Sequence, residues 1–398
     1  MKLNSPTLFV EINKMEYIFT VGDKIDQENF KLIHQSVAPI QGISSYKIVD
    51  YNLVLNIIKK NIYEIEQKLN FTFKEVVLII DNFECLFINL TGFKKLNGSQ
   101  ILKENITYIL NTLKSYVSEV EDKKTILHIF NSKYSLDSKN ITNLPIGLFG
   151  DFYFHELSFC LMNNSDYKNL NNIFTNCNLK IKKILLKSFV EGSFISNNNS
   201  QIDTFFQIKI NKNNCHLFYF ENNALKFEEN FEFGSDIVIK DISKITSLET
   251  QVINKFLQIN ELNKETSDKE LVEEKFFENK NYRKIKKKLI LDIAEARIKE
   301  LSEVLVSKNI NLKSINNKNK VIYLQVSDKL NFKSFKDCYL HYLSENNTST
   351  VNYIDSVPIK GLIKNANQLV HFGWKKEAIP VAHPKKTLIA RFFDIIFS

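Results

Sequence analysis

The chain has 398 residues, of which 44% are hydrophobic, so it is long enough to bury more than one core. Its 53 basic and 45 acidic residues are well mixed and leave a net charge of +8, so charge alone does not indicate nucleic-acid binding. Its five cysteines are widely spaced and lack a C-x-x-C pair, which indicates neither a disulfide framework nor a zinc site and fits a reducing cytosol.

The first elements along the chain predict a β-β-α-β order. Residues 7–12 and 16–21 have the composition of two strands of a hairpin. Residues 50–69 show apolar side chains at helical spacing, and residues 76–80 form a buried strand. This order predicts an α/β layer in which helices cover a sheet.

The next segment predicts a compact α+β insert over residues 83–161. It contains strands at 84–90, 125–130 and 152–161 and a helix at 99–117. A helix at 167–175 and a strand that runs into a helix over 180–189 follow the insert.

The second half of the chain repeats the strand-rich opening. Its predicted elements are strands at 204–210, 216–220 and 225–233, helices at 243–257 and 284–306, a strand at 321–326 and a helix at 335–343. The repetition predicts two similar α/β halves, one of which carries the insert.

The last residues, 385–398, predict a short basic amphipathic helix after a proline-containing linker at 376–384. A transmembrane helix needs about 20 apolar residues, so this segment is too short to span a bilayer and suits its surface. Neither a signal peptide nor a transmembrane segment is predicted elsewhere, so the body is expected to be soluble. A helix docked on the protein's own core is the alternative. The predicted membrane residues are Lys385, Lys386, Leu388, Ile389, Arg391, Phe392, Phe393, Ile395, Ile396 and Phe397.

Several motifs resemble those of the bacterial actin-like cell-division family FtsA. Residues 126–137 (ILHIFNSKYSLD) and 144–150 (LPIGLFG) are similar to the signature of the inserted subdomain of that family. Residues 223–226 with 234–242 are similar to the strand and helix after its second phosphate loop, and residues 369–374 (LVHFGW) to the end of its actin-like body. The terminal amphipathic segment also has a counterpart in the family.

The resemblance implies an α/β, actin-like (ribonuclease H-like) fold of two halves, with an α+β insert and a C-terminal amphipathic helix. The implied boundaries are 1–82 with 162–198 for the first actin-like part, 83–161 for the insert, 199–242 with 307–375 for the second half, 243–306 for a small helical subdomain, 376–384 for the linker and 385–398 for the membrane helix.

The nucleotide motifs of the family are degenerate in this chain. Its two hairpin turns read EINK at 11–14 and KINKNN at 209–214, where the family has glycines and, in the second turn, an aspartate. Glycine lets backbone N–H groups approach phosphates closely, so its loss predicts a pseudo-ATPase that is not an enzyme. No cofactor is expected, and ATP with Mg²⁺ would bind only if the degenerate pocket still binds. That pocket comprises Glu11, Asn13, Lys14, Lys209, Asn211 and Asn213.

Two lysines within these turns have two interpretations. Lys14 and Lys209 are either solvated turn residues, or their ammonium groups replace the cation of the pocket or bind an anion directly.

A basic run opens the predicted helix at 284–306. The resemblance implies that Arg283 and Arg297, with Lys284 and Lys287, receive the acidic C-terminal peptide of FtsZ. A solvated helix face is one alternative, and nucleic-acid contact through residues 283–288 is another.

The function implied by the resemblance is that of a cell-division adaptor. It would tether FtsZ filaments to the cytoplasmic face of the inner membrane at the division site and help assemble the divisome at the septum. Its implied partners are the FtsZ tail, membrane lipids, copies of itself and other division proteins through the insert, but no nucleic acid. The alternatives are an active actin-like ATPase of the pilus-assembly or division type and, less favoured, a nucleic-acid-binding protein. His128 and His155 lack partners at metal-ligand spacing and are expected to be structural.

Overall fold

A computed structural model describes residues 6–24, 30–44, 46–81, 83–199, 201–260, 262, 267, 269–277, 281–313, 321–326, 333–345, 350–374 and 376–378. These residues form two compact units. Unit 1 takes its described residues from 1–194, 222–226 and 360–398, and unit 2 from 195–221 and 227–359. The predicted membrane helix at 385–398 and residues 379–384 of the predicted linker lie outside the described residues.

Unit 1 opens with strands and one long helix. The elements are β1 Pro6–Ile12, β2 Glu16–Lys24, β3 Phe30–Pro39, β4 Ile43–Ser44, β5 Lys47–Ile48, α1 Tyr51–Leu69 and β6 Glu75–Ile80. Helix α1 begins at Asp50, whose carboxylate accepts a hydrogen bond of 2.9 Å from the Leu53 N–H. It ends at Asn70, which adopts a left-handed conformation with φ of 48°.

The predicted α+β insert follows as a sheet with one long helix. Its elements are β7 Cys85–Lys95, α2 Lys103–Val120, β8 Lys124–Leu136, β9 Lys139–Ile141 and β10 Phe152–Asn163. The strands are ordered β7-β10-β8-β9, and β10 pairs antiparallel with both β7 and β8. Helix α2 packs Leu110 and Val117 against Leu157 and Phe159 of β10, which gives the insert a core of its own.

The chain then completes the first sheet of unit 1 with α3 Asn164–Thr175, β11 Lys180–Leu186 and α4 Lys187–Asn198. The strand order is β11-β6-β1-β2-β3. Strand β6 pairs parallel with β1 and with β11, whereas β2 pairs antiparallel with β1 and β3. The carboxyl ends of β1, β6 and β11 therefore meet at one edge of the sheet.

The remaining elements form unit 2, except for the first residues of β14 and nearly all of α10, which belong to unit 1. The elements are β12 Phe205–Ile210, β13 Cys215–Glu221, β14 Ala224–Phe231, α5 Asp236–Thr246, α6 Thr250–Ile259, a 3₁₀ turn at Glu274–Phe276, α7 Lys287–Ser302, a π-helical turn at Glu303–Ser307, α8 Ile310–Lys313, β15 Val321–Val326, α9 Lys333–Glu345, β16 Thr350–Tyr353 and α10 Ile359–Phe372.

The second sheet repeats the arrangement of the first. Its order is β14-β13-β12-β15-β16, in which β12 pairs antiparallel with β13 and parallel with β15. In both sheets the opening strand thus lies between an antiparallel hairpin partner and a parallel strand that follows later in the chain. This repeated topology agrees with the two similar α/β halves predicted from the sequence.

The structure differs from the predicted elements in the helices of unit 2. The helix predicted at 243–257 is two helices, α5 and α6, separated at Ser247, which has a left-handed φ of 55°. The helix predicted from residue 284 begins at Lys287, because residues before it pair with an earlier segment: the Val272 N–H donates to the Ile285 carbonyl at 2.8 Å.

The compact units also differ from the predicted domain boundaries. Residues of the predicted helical subdomain, such as Ile253 and Ile290, share one hydrophobic core with Ile208 of β12. Helix α10 belongs with unit 1 because the Asn365 Nδ2 atom donates to the Val190 carbonyl at 2.7 Å. No helix among the described residues is long and apolar enough to cross a bilayer.

Candidate functional site

The first hairpin turn, in unit 1, is closed by the side chain of Asn13. Its Oδ1 atom accepts hydrogen bonds from the Met15 and Glu16 N–H groups at 2.8 and 2.9 Å. Its Nδ2 atom donates to Glu11 Oε1 at 3.1 Å, and Glu11 itself is buried at the end of β1. The Lys14 ammonium donates to the Tyr46 hydroxyl at 2.9 Å and lies over the Tyr46 ring. Asn13 therefore supports the turn, and Lys14 has an aromatic partner.

The cation that binds Glu11 is Lys187, which the sequence did not single out. Its Nζ atom lies 2.7 Å from Glu11 Oε1 and 3.8 Å from Asp81 Oδ2. Burial by itself lowers the pKa of Lys187, but the carboxylates of Asp81, Glu11 and Glu191 outweigh it and raise the pKa above the ordinary lysine value. Lys187 is therefore charged at neutral pH.

The second hairpin turn, in unit 2, has a different environment. Lys209 is buried within β12, and its ammonium lies 5.1 Å from the centre of the Phe218 ring. Asn211 pairs with Asn214 across the turn, with 2.8 Å between the Asn211 Nδ2 and Asn214 Oδ1 atoms, and Asn213 is exposed. Five of the six predicted pocket residues thus make contacts within their own unit: Glu11, Asn13, Lys14, Lys209 and Asn211.

The start of α5 packs directly on this second turn. The Ser235 N–H donates to the Asn211 carbonyl at 3.0 Å, and the Asp236 N–H donates to the Lys212 carbonyl at 2.9 Å. A Cβ atom added at Gly234 would lie 2.3 Å from the Asn211 carbonyl oxygen, so only glycine fits there. The turn therefore directs carbonyl oxygens toward the helix N-terminus, which leaves those N–H groups without free capacity for an anion.

At both turns, groups that could serve a bound Mg²⁺–ATP already have partners within their own unit. In unit 1 a metal ion at Glu11 would compete with the Lys187 ammonium for the same carboxylate oxygen. In unit 2 Lys209 is buried in β12, and the Ser235 and Asp236 N–H groups at the start of α5 already donate to carbonyl oxygens of the turn. Among the described residues, no group of three or more His, Cys, Asp or Glu side chains is arranged to hold a metal ion.

The predicted partner-binding residues lie in unit 2 but differ in their availability. Arg283 is exposed and donates from Nη1 to the Ser247 carbonyl at 2.8 Å, and Lys284 is exposed. Lys287 is paired with Glu270 and Glu273, at 3.5 and 3.1 Å. Arg283 and Lys284 are thus accessible to a partner, whereas Lys287 forms ion pairs within unit 2.

Arg297, the fourth predicted partner residue, is bound to carboxylates of its own unit. Its Nη2 atom pairs with Asp241 of α5, and its Nη1 atom donates to Glu300 Oε2 at 2.8 Å. Its side chain is 29% exposed. Arg297 therefore links α7 to α5, and its role in partner binding stays a prediction.

The chain after α10 is fixed to the insert within unit 1. The Asn131 N–H donates to the Lys376 carbonyl at 2.6 Å, and the Ala378 N–H donates to the Ile129 carbonyl at 2.8 Å, so this short segment lies antiparallel to β8. The first described residues of the predicted linker are therefore docked on the body. The predicted membrane residues between Lys385 and Phe397 lie outside the described residues.

A buried carboxylate, Glu377, secures this segment. His128 Nδ1 lies 3.0 Å from Glu377 Oε1, and Lys183 Nζ donates to Glu377 Oε2 at 2.6 Å. Burial alone raises the pKa of Glu377, but the hydrogen bonds and charges of His128 and Lys183 outweigh it and hold the pKa below its usual value. Sequence inspection missed this residue because its partners are 249 and 194 positions away.

The second histidine set aside as structural is also held inside the insert. His155 is fully buried, and its Nε2 atom donates to Asn131 Oδ1 at 2.8 Å. Burial and the charge of Lys376 lower its pKa to about 4. His155 is therefore neutral at physiological pH.

Comparison with known proteins places these features in a family context. No protein-family model matches the chain. The curated proteins named Cell division protein FtsA from Buchnera aphidicola subsp. Schizaphis graminum and subsp. Acyrthosiphon pisum are each 20% identical over 234 residues, which is 59% of this chain and 56% of the relative. The chain thus aligns with little more than half the length of these relatives.

The solved structure of the PilM-PilN type IV pilus biogenesis complex has the same fold. It superposes with a TM-score of 0.54 at 9% identity and covers 92% of this chain and 98% of that one. At this identity the likeness concerns the fold alone, and it confirms the predicted actin-like α/β fold. The resemblance read from the motifs is confirmed as well, since the chain is similar to curated proteins named Cell division protein FtsA over 59% of its length.

Proposed function

We propose that this chain acts in cell division as an adaptor between FtsZ filaments and the cytoplasmic face of the inner membrane, where it helps assemble the divisome at the septum. Its similarity to FtsA proteins supports the general role. The observation that carries the proposal is an exposed surface of unit 2 in which basic and apolar side chains alternate around residues 282–289.

This surface, called here the basic surface, suits an acidic peptide with apolar anchors. Arg283 and Lys284 are exposed, and so are the apolar side chains of Tyr282 and Leu289. Leu271 lies beside it because it forms a bridge with Lys286. Arginine and lysine attract carboxylates, while exposed apolar side chains provide the area that a bound helical peptide buries. The chemistry matches the acidic tail of FtsZ.

The membrane part of the proposal rests on the sequence of residues 385–398. Each lysine or arginine near an anionic surface contributes about 1 kcal/mol, and burial of the apolar face adds to this. One such segment binds weakly, since it must also order a helix. Copies of the chain joined in a filament would bind by avidity, because each bound copy raises the effective concentration of the next.

The proposed adaptor does not depend on nucleotide turnover. The contacts of Lys187 with Glu11 and of Lys209 with Phe218 support a pseudo-ATPase, since both ammonium groups lie at the turns where an ATPase of this fold would bind phosphate and metal. Attachment to the membrane and to FtsZ would then be regulated by concentration and avidity.

The insert is the proposed contact for other division proteins or for a neighbouring copy. Phe93, Phe149 and Phe152 are exposed large apolar residues of this insert, with 63%, 70% and 42% of their surface accessible. Exposed apolar groups of this size favour protein contacts over solvent.

Peptide binding tests the basic surface. The double variant Arg283→Glu with Lys284→Glu should weaken binding of an FtsZ C-terminal peptide about tenfold, since it reverses two exposed charges. Lys244→Glu, a charge reversal at an exposed position of α5, is the control and should bind like the unmodified chain. Arg297 is unsuitable for this test because its substitution also removes the ion pair to Asp241. Equal affinities of the double variant and the control would contradict the proposal.

Co-sedimentation with anionic vesicles tests the membrane part. The full chain should sediment with vesicles and bring FtsZ with it, whereas a chain ending at Pro384 should remain in the supernatant. Magnesium-dependent ATP turnover would instead favour an active ATPase of the same fold. Salt-sensitive DNA binding stronger than peptide binding would favour a nucleic-acid-binding protein.

A further inference from the structure

Charged side chains from three neighbouring strands converge at the carboxyl edge of the first sheet of unit 1. Glu11 lies in β1, Asp81 directly follows β6, and Lys187 directly follows β11. The Lys187 ammonium lies 2.7 Å from Glu11 and 3.8 Å from Asp81. Glu191, one turn later on α4, is buried and acts electrostatically on the same ammonium. The Lys187 ammonium therefore lies among three carboxylates at this edge of the sheet.

Two of these carboxylates lie at the carboxyl ends of parallel strands and the third lies on the helix that follows β11, so together they favour a positive charge at this edge. In α/β folds this edge is the usual place for ligands, and carboxylate oxygens are the ligands that Mg²⁺ prefers. Without a counter-ion, like charges this close raise the energy of the folded state. The folded chain therefore needs a cation at this position, whether a metal ion or a side chain.

We infer that Lys187 is a permanent replacement for a divalent cation at this edge, so that unit 1 keeps its carboxylates together without a metal ion. The ammonium donates a hydrogen bond to the Glu11 oxygen that a metal would coordinate, and it is covalently attached, so it cannot exchange with the solvent. Lys187 is the first residue of α4, and its side chain is only 21% exposed. A metal ion at this position would have to displace both the ammonium and its aliphatic stem.

This inference deepens the nucleotide-independent part of the proposed function and rests on it. A nucleotide enters most sites of this kind as its magnesium complex. With the carboxylates bound to Lys187, that complex lacks a protein ligand for its metal in unit 1. The folded conformation of this edge is then the same at every nucleotide concentration.

Thermal unfolding with and without millimolar MnCl₂ tests the inference. Trp374 is the single tryptophan, lies in unit 1 and is largely buried, so its fluorescence follows the unfolding of that unit. The variant Lys187→Met removes the ammonium and keeps most of the stem. Lys182→Ala is the matched control, since it removes a lysine of β11 whose partner Glu75 is 50% exposed.

The unmodified chain and Lys182→Ala should unfold at the same temperature with and without Mn²⁺. Lys187→Met should lose several degrees and regain most of that loss when Mn²⁺ is added, because removal of the ammonium leaves the Glu11 and Asp81 carboxylates available to the ion, which then supplies the missing charge. Failure of Mn²⁺ to restore Lys187→Met would overturn the inference and leave Lys187 as an ordinary ion-pair residue.

A second measurement needs no variant. Direct titration of the unmodified chain with Mn²⁺, followed by the signal of the free ion in electron paramagnetic resonance, should show no site of micromolar affinity. A site of micromolar affinity for Mn²⁺ in the unmodified chain, or tight binding of Mg²⁺–ATP, would overturn the inference. Neither assay contains vesicles or FtsZ peptide, so failure here leaves the tests of the adaptor contacts unaffected.

Discussion

The buried imidazole of His155 should make unit 1 sensitive to mild acid. The ring lies in β10 with no exposed surface, between Tyr134 and Tyr153. Its Nδ1 atom has no hydrogen-bond partner among the described residues, so a second proton on the ring would be buried without an acceptor. The folded state therefore resists protonation of this histidine.

The sign and size of the effect follow from the pKa difference. The pKa of His155 falls from 6.5 to about 4 on folding, so the unfolded chain binds a proton first as the pH decreases. The contribution of His155 to the free energy of unfolding is therefore constant above pH 7. It falls between the unfolded and folded pKa values and levels off below the folded value. At 1.36 kcal/mol per pKa unit, the loss is about 2 kcal/mol at pH 5 and about 3 kcal/mol in full.

Urea unfolding followed by Trp374 fluorescence measures this loss. The unmodified chain should lose about 2 kcal/mol between pH 7 and pH 5, and His155→Gln should lose much less, because glutamine does not titrate. His341→Gln, which changes an exposed histidine of α9, should retain the loss. Asn131→Asp is a second variant that keeps the ring and gives its Nε2–H a charged acceptor, which should raise the pKa and reduce the loss.

An equal loss of stability in the unmodified chain and in His155→Gln would refute the reasoning. The pH dependence would then arise from other groups, and the imidazole would titrate alike in the folded and unfolded states.

Two further predictions concern single contacts. Glu377→Gln should cost about 2 kcal/mol, because it leaves Lys183 without its carboxylate partner, and hydrogen exchange of the Ala378 amide should accelerate. Since the pKa of Glu377 is lowered, its contribution to the free energy of unfolding is present at neutral pH and is lost as the pH falls below the ordinary glutamate value. An unchanged exchange rate of the Ala378 amide in Glu377→Gln would contradict the prediction. Gly234→Ala should destabilise unit 2 by about 2 kcal/mol in thermal unfolding followed by circular dichroism, because its Cβ atom meets backbone atoms that cannot rotate away; an unaltered transition would show that the turn moves freely.

The elements that could be predicted from the sequence are those with a strong apolar pattern. Strand β6, at Glu75–Ile80, is almost entirely apolar and buried, and its boundaries differ from the prediction by one residue. Strand β3, at Phe30–Pro39, was missed because its side chains are polar or half-exposed along an edge of the sheet. The break between α5 and α6 was missed because Ser247 adopts a left-handed conformation that its residue type does not signal.

The candidate site was only partly predictable for a different reason. The turn residues Glu11 and Lys14 could be located because hairpins leave a local signal in the sequence. The partner of Glu11 could not, since Lys187 is 176 positions away and its contact depends on how β11 pairs with β6. One indirect signal existed: a lysine that directly follows a strand parallel to β1 lies at the same sheet edge as Glu11.

The antiparallel pairing of Lys376–Ala378 with β8 has a mechanical consequence. A force applied to the chain beyond Ala378 and directed along the strand loads the backbone bonds to Ile129 and Asn131 in shear, together with the Glu377 ion pairs. Bonds stretched together resist more than bonds opened one after another. Tension from the C-terminal side would thus be carried by the insert sheet before it reaches helix α10.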